Sequence, residues 1–209
     1  METEPATSAL RAKSSLVVTF SRFALLAVLA AGALAVLAAC GSASAAKTPV
    51  ATTTHLTLDI LPVKPGGPAD DWPAYMPSSS TALPANTVVT VTIRNFDVGD
   101  DALPAGSPLL QVQGTTNGAA TADGKSYTSL DPQRISHTFT IPQLKLNVPI
   151  PGDPVGDANN VAVTFSFRTP AKAGTYTFQC FVPCGTGTSG FDGPMSTPGY
   201  MRGTITVVA

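Results

Sequence analysis

From residue 54 to the C-terminus, apolar residues recur at every second position in six stretches. In HLTLDI (55–60), Leu56, Leu58 and Ile60 share one face, and His55, Thr57 and Asp59 take the other. In TVVTVTIRNF (87–96), Val89, Val91 and Ile93 alternate with Thr90, Thr92 and Arg94. ISHTFTI (135–141) sets Ile135, His137, Phe139 and Ile141 against Ser136, Thr138 and Thr140. The same period runs through 160–169, 174–180 and 202–208. A period of two in β-branched and aromatic residues marks a half-buried strand. No window keeps a period of 3.6, and 19 Pro and 18 Gly punctuate the chain. Six such strands with turn-rich connections predict an all-β fold, an antiparallel β-sandwich.

Two connections are long, and long loops in a compact domain tend to carry function. The first, 61–86, holds DDWPAYMP; Trp72, Tyr75 and Met76 are expected to pack over one end of the sandwich. The second, 97–133, is rich in Gly, Asp, Thr and Pro, with a short strand expected at LLQVQGT (109–115).

The N-terminal part follows a different pattern. Arg11, Lys13 and Arg22 precede an unbroken apolar run from Phe23 to Cys40. A basic segment, an apolar segment and small residues before a cut site describe a secretory signal. Leu37-Ala38-Ala39-Cys40-Gly41 resembles the lipobox of bacterial lipoproteins. That resemblance implies an acylated Cys40 and attachment to the lipid bilayer at the extracytoplasmic face of the cell membrane; several acyl chains together anchor stably. The competing reading is an uncleaved transmembrane anchor, because the run is nearly long enough to span. The expected organisation is a signal peptide at 1–39, an acylated Cys and flexible tether at 40–53, and one domain at 54–209.

Charge adds an exclusion. Twelve Lys and Arg face thirteen Asp and Glu, with no basic cluster interleaved with aromatics. Nucleic acid is therefore not an expected partner. Asp97, Asp100, Asp101 and Asp123 fall in or near the long loop, at a spacing that matches no calcium-binding loop. Asp70-Asp71 and Asp100-Asp101 read as solvated pairs.

The candidate chemistry lies near the C-terminus. QCFVPCG (179–185) carries Cys180 and Cys184, and Met195 and Met201 follow. The chain has two histidines. His55 is on the polar face of its strand, whereas His137 is among apolar neighbours. Two thiols, an imidazole and a thioether form a donor set that suits copper. Two cysteines in an exported domain also suit a disulfide. A thiol–disulfide exchanger is disfavoured, since such cysteines usually sit at a helix N-terminus. No stand-alone enzyme is expected.

Three blocks then carry a family resemblance: SHTFTIPQLKLNVPIPG (136–152), AGTYTFQCFVPCG (173–185) and MRGTITV (201–207). Together they resemble the cupredoxin family, most of all the copper domain of cytochrome c oxidase subunit II. The resemblance implies a cupredoxin-like antiparallel Greek-key β-sandwich. It also implies copper ligation by His137, Cys180, Cys184 and Met201, with a backbone carbonyl at Val182; Met195 is an additional candidate. One ligand of that family has no counterpart: Pro198 stands where the second histidine would be. A binuclear centre is therefore not expected. One copper ion is, serving copper handling or respiratory electron transfer with a redox or copper-exchange protein partner. The alternative is a metal-free structural or interaction lipoprotein with a Cys180–Cys184 disulfide.

Overall fold

Alternating burial runs through the longest strands. In β4 (Val88–Asn95), Val89, Val91, Ile93 and Asn95 are buried, and the residues between them face outward. Strand β9 (Val161–Arg168) repeats this with Val161, Val163, Phe165 and Phe167. The computed structural model describes residues 54–67, 72–80, 82–99, 103–153, 160–184 and 193–209. The expected signal peptide, Cys40 and tether lie outside the described residues.

The remaining strands are β1 (Thr54–Leu61), β2 (Ala74–Met76), β3 (Leu83–Pro84), β5 (Ala120–Ala122), β6 (Lys125–Tyr127), β7 (Ile135–Ile141), β8 (Leu146–Pro151), β10 (Gly174–Gln179) and β11 (Arg202–Val208). They form two sheets. One has the order β2-β1-β4-β9-β5-β6 and the other β3-β11-β10-β7-β8. The result is the expected all-β sandwich, with no α-helix among the described residues. No described helix is long and apolar enough to cross a membrane.

Three features differ from the sequence reading. The sheets are mixed: β1 pairs with β4 in parallel, and so does β11 with β3. The connection from β1 to β4 is long enough for this. It crosses to the other sheet at β3 before returning, and parallel neighbours need such a crossover. Second, 109–115 is not a strand. Pro108–Leu110 forms a 3-10 turn, capped by Ser107 Oγ on Leu109 N, and Gln111 and Gln113 make only single bridges. Third, Tyr75 does not lie in a covering loop. It sits in β2, fully buried, and Trp72 instead packs edge-on against Tyr200 with centroids 5.2 Å apart.

The core between the sheets is aromatic at its centre. Phe139 stacks on Phe178 at 5.0 Å, and Tyr75 meets both rings edge-on. Burying a ring of this size contributes about 2–3 kcal/mol. These three residues come from β7, β10 and β2, so their packing fixes the ends of the strands that carry the candidate ligands. Asn95, wholly buried at the end of β4, adds a polar link between the sheets by donating from Nδ2 to the Pro151 carbonyl at 2.9 Å.

Candidate metal centre

Strand β7 delivers His137. It is buried along its whole length, because both faces are covered. Its pairing with β8 shifts between Ile135 and His137, so Ser136 forms a bulge. A bulge re-aims the side chains beside it. Here Nδ1 of His137 points at Cys180 Sγ, 3.8 Å away, and Nε2 faces Asp97 Oδ2 at 2.9 Å.

Cys180 directly follows β10. Its amide donates to the Met201 carbonyl at 2.9 Å, which extends the β10–β11 ladder by one step. Its sulfur accepts the Thr138 amide at 3.4 Å, and Thr138 Oγ1 accepts the Phe181 amide at 2.9 Å. The chain then turns back through Val182 and Pro183. Cys180 Sγ lies 3.4 Å from the Val182 carbonyl and 3.9 Å from Cys184 Sγ. A disulfide needs about 2.05 Å between sulfurs; both cysteines are free thiols here.

Donor atoms of His137, Cys180 and Cys184 therefore lie within 4.8 Å of one another. Met195 and Met201 are fully buried in the same apolar cluster as Cys180, Val182 and Cys184. The turn at 193–201 is held by Met201 N donating to Pro194 O at 3.0 Å and by Thr197 Oγ1 donating to Gly193 O at 2.9 Å. Gly199 takes φ of +86° in this turn, a conformation that favours glycine. The structure thus gathers three predicted donors, sets the Val182 carbonyl beside them, and buries both methionines in the surrounding core.

Other predicted positions fall elsewhere. His55 is exposed on β1, in the opposite sheet. Pro198 is exposed in the turn, so its position offers no second imidazole. Asp123 accepts the Ala162 amide at 2.9 Å and ties the β5–β6 turn to β9. Asp70, Asp71, Asp100 and Asp101 lie outside the described residues.

Asp97 is the site residue that sequence reading missed. In sequence it is one of the acids of the long loop, yet its carboxylate pairs with His137. Its only sequence signal is position: an acid just beyond a strand end, forty residues from its partner.

Charge in the pocket is tightly coupled. Burial alone would lower the His137 pKa, but hydrogen bonds to Asp97 and Cys180 outweigh it and raise the pKa to about 9. Burial would raise the Cys180 pKa; hydrogen bonds from Cys184 and His137, the His137 charge and the Thr138 amide hold it well below 9.0. Burial also opposes ionisation of Asp97, and the His137 bond reverses that, leaving it below 3.8. Without metal these interactions favour the charged forms of Asp97, His137 and Cys180 together. A soft cation with thiolate affinity suits this donor set, since it would replace the imidazolium proton at Nδ1.

Known proteins add the following. No known protein family and no curated protein matches the chain. Among solved structures it is similar to rusticyanin from Thiobacillus ferrooxidans, with 17% identity, 75% of this chain and 79% of that chain covered, and a TM-score of 0.34. It is similar to reduced rusticyanin at 15% identity, covering 75% and 81%, with a TM-score of 0.32. A multi-copper oxidase from Pediococcus acidilactici is 12% identical, with 75% of this chain but 26% of that chain covered and a TM-score of 0.33.

Proposed function

We propose that the chain is a membrane-anchored, extracytoplasmic copper-binding protein with a cupredoxin-like sandwich. One observation carries the reading: an imidazole and two thiols, all buried, converge within 4.8 Å beside the neighbouring strands β7 and β10. His137, Cys180 and Cys184 would hold one copper, with Met201 or Met195 and the Val182 carbonyl completing its surroundings. Bound there, copper would supply one-electron chemistry or serve as cargo. Two thiolates and a thioether with a single imidazole favour Cu(I), so copper handling is the first reading. Anchoring rests on the lipobox resemblance at Cys40.

Electron transfer is the second reading, and burial favours it. Cys180 is 0% and Cys184 3% exposed, so neither thiol is open to attack by a partner. A centre that keeps its metal enclosed is better placed to pass electrons than ions.

The test uses the full chain in detergent, reduced and oxygen-free, with free thiols counted first. Cu(I) is titrated against a chromophoric competitor, and Cu(II) is then added to a second sample. Uptake of one Cu(I) supports copper handling, and intense thiolate charge-transfer absorption with Cu(II) supports electron transfer. If the fully reduced chain takes up neither ion, the copper reading fails and the metal-free interaction module takes its place.

A further inference from the structure

The geometry points to Asp97 as a positioning residue of this centre: by taking the Nε2 proton of His137, its carboxylate leaves Nδ1 as the donor nitrogen beside Cys180. The inference rests on the metal-binding reading above and adds which nitrogen is offered and what selects it.

A neutral imidazole has one N–H and one lone pair, and a carboxylate only accepts. Oδ2 of Asp97 lies 2.9 Å from Nε2, whereas the sulfur that faces Nδ1 is 3.8 Å away, so the closer acceptor holds the proton of the neutral ring on Nε2. The lone pair is then on Nδ1, which faces the sulfur at 3.8 Å. Metal-ligating histidines commonly present their other N–H to such a carboxylate, which fixes tautomer and ring orientation.

Asp97 is itself built into the fold. Its Oδ1 accepts the Gly99 amide at 3.2 Å, and its own amide donates to Asn95 Oδ1 at 3.1 Å. Its carbonyl accepts Asn95 Nδ2 at 3.2 Å and the Asp153 amide at 2.9 Å. Asn95 also bonds Pro151 of the other sheet, so the carboxylate is referenced to both sheets. Gly152 permits this close approach. A Cβ there would come within 2.7 Å of the Gly99 carbonyl. The Asp97 side chain is 16% exposed and that of His137 1%, so the acid links the enclosed ring to the surface. A fixed negative charge one ring away from the metal also favours the higher metal charge state.

The test uses the full chain in detergent with 15N-labelled histidine. His55→Gln assigns the two imidazoles. In the metal-free wild type at alkaline pH, where the ring is neutral, His137 should show the Nε2–H tautomer; the Nδ1–H tautomer would overturn the inference with no variant needed. Addition of Cu(I) should move the Nδ1 resonance and leave Nε2–H in place. Asp97→Ala should mix the tautomers and weaken Cu(I) binding by about 10–100-fold. Asp97→Asn keeps an acceptor and loses the charge. It should restore the tautomer and most of the affinity, and it should shift the copper potential upward. Wild-type tautomer and affinity in Asp97→Ala would overturn the inference. If the wild type takes up no copper, the functional reading fails, and the metal-free spectrum still decides the role of Asp97.

Discussion

Cys180 Sγ lies 3.8 Å from His137 Nδ1, although 43 residues separate them in the chain. The contact is fixed from beneath. Thr138 sends its amide to the same sulfur, while its carbonyl accepts the Tyr75 hydroxyl at 2.8 Å. Ligand placement and core packing therefore meet in one residue of β7.

Tyr75→Phe tests that link. The Tyr75 hydroxyl is fully buried, and its loss leaves the Thr138 carbonyl without this partner. The expected cost is about 1–2 kcal/mol, read from urea unfolding of the metal-free protein. An unchanged midpoint would show that the bond contributes nothing net. The Tyr75 pKa is held well above 10 by burial and by the nearby Cys180 and Cys184 charges, so the hydroxyl stays protonated and the effect should not vary below pH 9.

Gly203 in β11 offers a steric test. A Cβ there would overlap the Ser78 carbonyl oxygen and the Phe178 ring. Gly203→Ala should cost about 1–3 kcal/mol by overpacking. Because Phe178 lies two residues before Cys180, it should also weaken metal uptake. A variant as stable as wild type would contradict the tight packing of β11 on β10.

Stability against pH follows from the coupled charges. The raised His137 pKa stabilises the fold fully below its ordinary 6.5, and that contribution is lost as pH rises through about 9. The lowered Cys180 pKa works in the other direction. Its contribution is present above 9.0 and is lost as pH falls through the folded value. Between 6.5 and 9 the two slopes oppose, so metal-free wild type should be nearly flat there. Cys180→Ser removes the rising slope and leaves the Asp97 bond to raise the His137 pKa, so its stability should fall as pH rises above 6.5, over a narrower range than the wild-type shift spans. Urea midpoints at half-unit steps, with chelator present, check this; a rising profile in the variant would contradict it. Toward acid, the Asp97 contribution is present above 3.8 and lost below.

Six strands were legible in the sequence because one face meets the core and the other meets water. For 135–141 and 202–208 the observed limits coincide with the expected ones. Strand β8 was not legible: LNVPIP is buried on both faces and carries two prolines, so it has neither alternation nor ordinary strand composition. The short strands β2, β3, β5 and β6 are two or three residues long and leave no periodic signal. At the site, the three blocks containing His137, Cys180 with Cys184, and Met201 were legible as a family-like pattern. Asp97 was not, because its pairing with His137 depends on how the end of β4 is pinned by Asn95 to β8. That relation between sheets exists only after folding.

Copper X-ray absorption on the reduced full chain loaded with Cu(I) measures the proposed centre directly. We expect one copper per chain with a sulfur-rich shell and one imidazole nitrogen, that nitrogen being lost in His137→Ala and a sulfur in Cys184→Ser. A shell of oxygen and nitrogen donors alone, unchanged by either substitution, would place copper somewhere other than beside His137, Cys180 and Cys184.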